Sequence, residues 1–328
     1  MKILITGVTG FVGSHLAEFL IGKGLTVYGT YRWRSRMENI KHIEDLNLVN
    51  CELLDAHSVY ACIEKIKPDI IFHLAAQSYV PASFNEPTNT IETNIIGTLN
   101  ILEAVRRIKE QPLIKNMQSD PLIVICSSSE VYGQVKESEI PIKETNEFRP
   151  ASPYGVSKVG EDLIAYQYWL SYGLKIVRTR MFTHTGPRRG DVFVESAFAK
   201  QIARIEKGIQ ARRMKVGNIK SIRTFADVRD MVKAYWMIAL KTIETGKYGE
   251  VYNIGGNVTM SIKQMLEELL KMTDKKIEVI VDPSLLRPSD VTLQIPDTSK
   301  FERFTGWKPE IPFTQTLKDI LDYWRERV

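Results

Sequence analysis

The chain has 328 residues, 44% hydrophobic and 25% charged, ordinary values for a globular protein able to bury one large core or two modest ones. Its formal charge of +5 comes from 44 basic against 39 acidic residues, and the basic clusters are short (YRWRSR, GPRRG, ARRM), which predicts local anion sites and excludes the continuous stripe of a nucleic-acid-binding face. Cys51, Cys62 and Cys126 lack metal-ligand spacing, no segment reaches membrane-span length, and the first apolar run is too short for a signal peptide, so we expect reduced thiols, no metal, no membrane and a cytoplasmic location.

KILITG is a short β-branched run ending in glycine, and GSHLAEFLIGKG after it has helical periodicity. Between them, GVTGFVG places Gly7, Gly10 and Gly13 where a tight turn, a backbone approaching a pyrophosphate and close helix–strand packing all require glycine. Cofactor contacts are expected from Gly7, Thr9, Gly10, Phe11, Val12 and Gly13. TVYGTY is the second strand. An acid at its end would read the ribose 2′-hydroxyl, yet TYRWRSR offers Arg32, Arg34, Ser35 and Arg36. Guanidinium groups pair with a 2′-phosphate, so NADP is expected over NAD.

The alternation continues with NLVNCEL, the helical AHSVYACIEKI, DIIFHLAA, the helical TIETNIIGTLNILEAVRRI and LIVICSSS. Continuous apolar strands between amphipathic helices predict a doubly wound parallel α/β sheet covered on both faces. Asp55, after the third strand, is a candidate for the adenine amino group. Leu74, Ala75, Ala76 and Ser78 would pass under the cofactor at the end of the fourth strand, while His73 reads as a core histidine.

In RPASPYGVSK, Ser152 is a good N-cap and Pro153 fits the first helical turn. Tyr154 and Lys158 then share one helix face. A lysine beside a tyrosine stabilises the phenolate, which predicts a Tyr154 pKa below its ordinary value of about 10 and a phenol able to accept a proton near neutrality. LKIVRTRMF is a sixth strand. Beyond about residue 183 the alternation lapses into basic loops, a helix at VESAFAKQIARIEKG, isolated strands such as VYNIGG and a proline-rich stretch at 282–296. VRDMVKAYWMIALK is expected to return to the sheet. The predicted division is an NADP-binding domain over 1–182, with a return segment at about 227–254, and a smaller interleaved domain, mainly for substrate, over 183–328.

With GxxGxxG, HLAAQS, SSSEVYG and YxxxK in this order, the chain resembles the extended short-chain dehydrogenase/reductase family over essentially its whole length. Within it, AAQSYVPASF, GPRRGDVFV, GNIKSIRTFADVRD and RPSDV are similar to the GDP-mannose 4,6-dehydratases and relatives acting on GDP-manno-heptose. The resemblance implies a Rossmann-type sheet, Ser128, Glu130, Tyr154 and Lys158 as catalytic residues, and further cofactor contacts from Tyr154, Lys158, His184 and Arg189. On the substrate side it implies Ser83, Ser129, Thr183, Val194, Lys200, Gly217, Asn218, Arg223 and Arg287, with Arg223 and Arg287 meeting the diphosphate. RWRS stands where those dehydratases have RRSS, and Thr183 where they have Asn. The absence of an acid at Ser129 argues against a dTDP-glucose-type enzyme.

The expected reaction is a 4,6-dehydration of an NDP-sugar, GDP-mannose or a GDP-manno-heptose, by internal hydride transfer through NADP. Tyr154 would take the C4 hydroxyl proton with Ser128 holding that hydroxyl, and Glu130 would remove the C5 proton and protonate the departing C6 hydroxyl. A 4-keto-sugar reductase on the same scaffold, a 4-epimerase and a non-catalytic NADP sensor are the alternatives; Glu130 weighs against epimerisation. Members of this family pair long helices between subunits, which implies a homodimer, or a tetramer if RWRSR reaches a neighbouring cofactor.

Overall fold

The first strand, β1 (Lys2–Thr6), is buried from Ile3 onward in a computed structural model that describes residues 1–110, 120–286 and 288–328. From β1 the chain runs through α1 (Phe11–Ile21), β2 (Thr26–Tyr31), β3 (Asn47–Asn50), α2 (Ala56–Ile66) and β4 (Ile70–His73). It continues through α3 (Val80–Asn85), α4 (Pro87–Ile91), a π-helical turn (Glu92–Ile96), α5 (Gly97–Glu110), β5 (Leu122–Ser128), α6 (Pro153–Tyr172) and β6 (Ile176–Met181). Then come β7 (His184–Thr185), α7 (Val194–Glu206), β8 (Arg213–Val216), β9 (Ile222–Asp227), α8 (Val228–Thr245) and β10 (Val251–Ile254). The last elements are β11 (Val258–Ser261), α9 (Ile262–Leu270), β12 (Glu278–Val281), β13 (Leu293–Gln294), α10 (Ser299–Thr305) and α11 (Phe313–Arg325).

Seven strands form one sheet in the order β10-β6-β5-β4-β1-β2-β3, every neighbour parallel. This is the doubly wound Rossmann-type sheet expected from the alternation. From β1 the chain first builds outward through β2 and β3, then crosses to β4, β5 and β6. The direction reverses between β1 and β4, and the crevice outside the carboxyl ends of those two strands is where such sheets hold ligands. One face packs on α1 and α8 through Leu16, Leu20, Met231, Tyr235 and Ile238. The other packs on α2, α5 and α6 through Ile63, Leu102, Val105, Ala165 and Tyr168.

Two expected elements change. The run TIETNIIGTLNILEAVRRI is not one regular helix: a wider turn at Glu92–Ile96 separates α4 from α5. Within that turn Asn94 is fully buried, accepts from the Gln77 N–H, and donates to the Gln77 carbonyl and to Ser157 Oγ on α6. The bulge thus trades helix regularity for a polar tie between three segments. VYNIGG, read as an isolated strand although it ends the expected return segment at about 227–254, is the edge strand of the sheet: β10 pairs parallel with β6 after the crossover through α8, with Tyr252, Asn253 and Ile254 buried.

A smaller region contains β9, which pairs with β11 antiparallel and with β7 and β13 parallel, and a separate β8–β12 pair. Helices α7, α9 and α11 close over a third core that includes Phe198, Met265, Leu266 and Leu317, with Phe225 stacked on Phe313 at 4.8 Å.

Helix α6 is fastened to the sheet by charge. Asp162 is fully buried and accepts from Arg178 Nη1 at 2.7 Å and Arg180 Nε at 2.9 Å, both on β6. Removing one member of a buried ionic group leaves its partners uncompensated. Asp162→Ala should therefore lower unfolding free energy by about 3–5 kcal/mol, read from urea midpoints at constant m-value. A loss below about 1 kcal/mol would mean the arginines are solvated in place.

Candidate active site

The glycine loop connects β1 to α1 at the topological reversal. Gly7 has φ +70, and a Cβ there would lie 2.8 Å from the Ala75 Cα, so the loop touches the segment after β4. A Cβ on Gly13 would fall 2.5 Å from the Gly7 carbonyl oxygen. Gly10 is the N-cap of α1, and its amide donates to the Gly7 carbonyl at 3.0 Å. Thr9, Phe11 and Val12 thus surround a helix N-terminus whose amides can meet a phosphate. Thr6, which the sequence reading missed, holds the opposite wall. Its Oγ1 accepts from the Leu74 and Ala75 amides and bonds His73 Nδ1 at 2.8 Å. His73, with its other nitrogen on Thr98 Oγ1, is the core histidine expected, and burial lowers its pKa to about 3. Ala76 is half-buried and Ser78 exposed.

Beyond β2, Arg32 to Ser35 form a tight turn. The Ser35 amide donates to the Arg32 carbonyl at 2.9 Å, Ser35 Oγ accepts from the Arg32 amide, and Arg34 takes φ +68. Arg32 and Arg34 are exposed around the outward Trp33, a geometry open to a phosphate. Asp55 caps α2, its Oδ1 accepting from the His57 and Ser58 amides, a structural duty its adenine assignment had not included.

Ser128 ends β5 and Tyr154 opens α6, whose N-cap Ser152 accepts from the Gly155 amide at 3.0 Å. The two side chains are neighbours, and the Ser128 hydroxyl favours the ionised phenol. Ser128 Oγ also accepts from the amide of Glu130, which is half-buried in the following 3₁₀ turn; Ser129 is buried. Lys158 lies a turn further along the same face. Its ammonium donates to Glu161 Oε2 at 2.6 Å and to the Cys126 carbonyl. The expected downward shift of Tyr154 is corrected here. Burial raises the phenol pKa above its ordinary value, and Lys158 and Ser128 only partly pull it back. Sequence spacing places the lysine's charge but not the desolvation that opposes it.

Arg189 is sandwiched between Phe11 (5.0 Å) and Phe193 (3.7 Å), and its buried Nε has no hydrogen-bond partner among the described residues. Burial lowers its pKa, against the pull of Glu195 and Tyr154. His184 stacks on Phe11 at 6.2 Å and bonds the Phe182 carbonyl through Nδ1; burial, then Arg189, lower its pKa to about 4. Glu195, unassigned from sequence, is buried on α7, its pKa raised by burial and opposed by Arg189 and Arg223.

On the smaller region's side, Asn218 Nδ2 donates to Asp290 Oδ2 at 2.8 Å, and Arg223 approaches Asp290 Oδ1 at 3.7 Å. A cavity of about 360 Å³ lies here, lined by Gly217, Asn218, Ile219, Lys220, Val281, Leu286 and Asp290. Gly217 is needed for closeness: a Cβ would lie 2.8 Å from the Leu285 carbonyl oxygen. Thr183 and Val194 are half-buried. Ser83 is fully buried and donates to the Val80 carbonyl within α3, and Lys200 is drawn to Asp191 at 2.6 Å, so both are engaged within the protein. Arg287 lies outside the described residues. No group of three or more metal-ligating side chains occurs among the described residues.

A glycine loop at the switch point of a parallel sheet, with serine, tyrosine and lysine converging beyond β5, defines an extended short-chain dehydrogenase/reductase. More narrowly, the chain belongs to the GDP-mannose 4,6-dehydratase family, whose model matches residues 4–320. It is 33% identical over 327 residues to the GDP-6-deoxy-D-mannose reductase of Pseudomonas aeruginosa, covering 100% of this chain and 98% of that protein. It is 34% identical to a GDP-mannose 4,6-dehydratase of Vibrio cholerae, covering 97% of this chain and 92% of that protein. The structure of RMD from Pseudomonas aeruginosa complexed with NADPH superposes with a TM-score of 0.81 at 31% identity, covering 100% of this chain and 99% of that one.

The buried histidines make stability pH-dependent. His15, His73 and His184 fold with pKa values of about 4, 3 and 4 against an ordinary 6.5. Between pH 6.5 and about 4 the unfolded chain binds more protons at these sites, so stability falls as pH falls. Glu161, raised to about 7 by burial, acts oppositely between 4.5 and 7. Three protons less one give a slope of up to about 3 kcal/mol per pH unit. Urea midpoints at pH 6.5, 5.5 and 4.5 should drop steadily, and a flat series would show that these imidazoles reach water.

Proposed function

We propose that this protein is an NADPH-dependent reductase of a GDP-linked 4-keto-6-deoxy sugar. The observation that carries the assignment is the placement of the buried Tyr154 phenol, in the first turn of α6, beside the buried Ser128 hydroxyl at the end of β5. Reducing a C4 ketone requires a proton on its oxygen as the carbon gains hydride. A phenol and a hydroxyl at one buried point can donate to that oxygen together. The end-to-end similarity to the Pseudomonas aeruginosa reductase supports the same choice. When bound, NADPH supplies the hydride. Gly7, Thr9, Gly10, Phe11, Val12 and Gly13 would cradle its pyrophosphate, and Arg32, Arg34 and Ser35 its 2′-phosphate. Lys158 would neutralise charge developing on Tyr154, and Arg223, Asn218 and Gly217 would hold the sugar nucleotide. Residues 1–182, with 227–254, would form the cofactor half of the molecule.

Glu130 favours a second reading. A carboxylate two residues beyond Ser128 could take a proton from C5 once C4 is a ketone and return one to the leaving C6 hydroxyl; with the hydride lost from C4 delivered to C6 through NADP, that would be 4,6-dehydration of GDP-mannose with no net consumption of cofactor. Product analysis separates the two. The purified protein should oxidise NADPH, in preference to NADH, only when given the GDP-4-keto-6-deoxy sugar, yielding the 6-deoxy sugar. GDP-mannose alone should be returned unchanged; loss of water from it would overturn the reductase in favour of the dehydratase. Tyr154→Phe should lower kcat at least about 10²-fold.

We also propose a homodimer, or a tetramer if the arginine turn reaches a second subunit. Outward Val156, Leu163, Tyr166 and Leu170 make α6 apolar on its exposed side, next to an exposed Ile96. Two such faces would bury each other. Light scattering should give at least twice the chain mass for the wild type, and Leu163→Glu should shift it toward monomer. No helix among the described residues is long and apolar enough to cross a membrane.

A further inference from the structure

Tyr154, Lys158 and Glu161 stand at i, i+4 and i+7, so one face of α6 carries a phenol, an ammonium and a carboxylate in line. The last pair is deeply buried: Lys158 retains 5% side-chain exposure and Glu161 1%, with 2.6 Å between Nζ and Oε2. Nothing in helix stability calls for this. An exposed i,i+3 ion pair contributes a few tenths of a kcal/mol at most, whereas burying a carboxylate costs far more unless it is matched to a partner. The neighbouring acid, Asp162, is already committed to Arg178 and Arg180. Glu161 is therefore the carboxylate that answers the lysine.

We propose that Glu161 is a positioning residue for Tyr154: its carboxylate anchors and neutralises the Lys158 ammonium, so the phenol faces an ion pair in place of a bare cation. An ammonium has three N–H donors. Glu161 and the Cys126 carbonyl take two of them, which leaves one for the side on which Tyr154 lies. Glu161 thus fixes where the lysine points and how much of its charge the phenol feels. Other charged or titratable groups around the pair are His73 on β4, held neutral by burial, Cys126 on β5, and Tyr235 on α8, whose hydroxyl contacts the Cys126 thiol. Burial raises both of the last two above their ordinary values, so above pH 7, where Glu161 is ionised, the charges that face Tyr154 are Lys158 and Glu161 on its own helix and Arg189 beyond β7. The two Coulombic influences oppose each other, Lys158 lowering the phenol pKa and Glu161 raising it.

The inference deepens the proposed carbonyl reduction, since it assumes Tyr154 is the proton-handling group, but its test needs neither substrate nor cofactor. Ionisation of Tyr154 is followed by ultraviolet phenolate absorbance, each protein being compared with its Tyr154→Phe counterpart. Glu161→Gln, which keeps shape and removes charge, should move the Tyr154 midpoint down by about one pH unit. Glu161→Asp should bring it part of the way back. In turnover assays the limb of the kcat–pH profile due to Tyr154 should shift by the same amount, with KM for the sugar nucleotide unchanged. If Glu161→Gln does not fold, Glu161→Ala is titrated instead, with the same direction expected. A merely structural pair would lower the melting temperature and leave the phenol midpoint within about 0.2 units of wild type, and that result overturns the proposal.

Discussion

Charge buried along α6 is the constraint on which the site's geometry depends. Asp162 reaches two arginines on β6, and Lys158 reaches Glu161 and the backbone of β5. Charges inside a low-dielectric interior tolerate little displacement, because breaking any one pairing leaves another group uncompensated. The helix is therefore fixed in depth and rotation against both strands. That fixes Tyr154 in its first turn, opposite the last residue of β5. The phenol and Ser128 are neighbours because two strands and a helix have been registered by ion pairs two turns away.

A second constraint is closeness of backbones. Gly7 against Ala75 and Gly13 against Gly7 leave no space for a β-carbon. On the second strand, a Cβ at Gly29 would fall 2.5 Å from a Val8 methyl. These contacts draw the ends of β1, β2 and β4 together at the point where strand order reverses, so the helix N-terminus and the catalytic face of α6 open on one crevice. Thr6 completes the arrangement by accepting two amides that the departing β4 segment would otherwise leave unpaired.

The parallel sheet was legible because apolar strands alternate with amphipathic helices, and the α6 start because Ser152 and Pro153 are strong local signals. What local pattern could not carry was burial. Glu161 reads as one more acid on a helix, three residues from a lysine, and its significance appears only once β5 covers that face. The direction of the Tyr154 shift was misread for the same reason: adjacency of charge is written in the sequence, loss of water is not. VYNIGG looked isolated because its partner, β6, is some seventy residues earlier, and β10 joins it only after the α8 crossover. The break between α4 and α5 follows from Asn94, a polar residue whose partners lie on two other segments. Ser83 and Lys200 were assigned through resemblance, and the structure adds their contacts with the Val80 carbonyl and Asp191.

Ser128, Tyr154 and Lys158 would serve a C4 oxidation or a C4 reduction alike, because microscopic reversibility makes the donor in one direction the acceptor in the other. The balance lies in how firmly the phenol keeps its proton. A dehydratase must take a proton from the C4 hydroxyl and give it back within one cycle, which favours a phenol with affinity near that of its surroundings. A reductase only gives. Neutralising Lys158 with a buried carboxylate strengthens the phenol's hold on its proton, and desolvation acts in the same direction. Both effects favour the protonated phenol, the form that the proposed reduction would use.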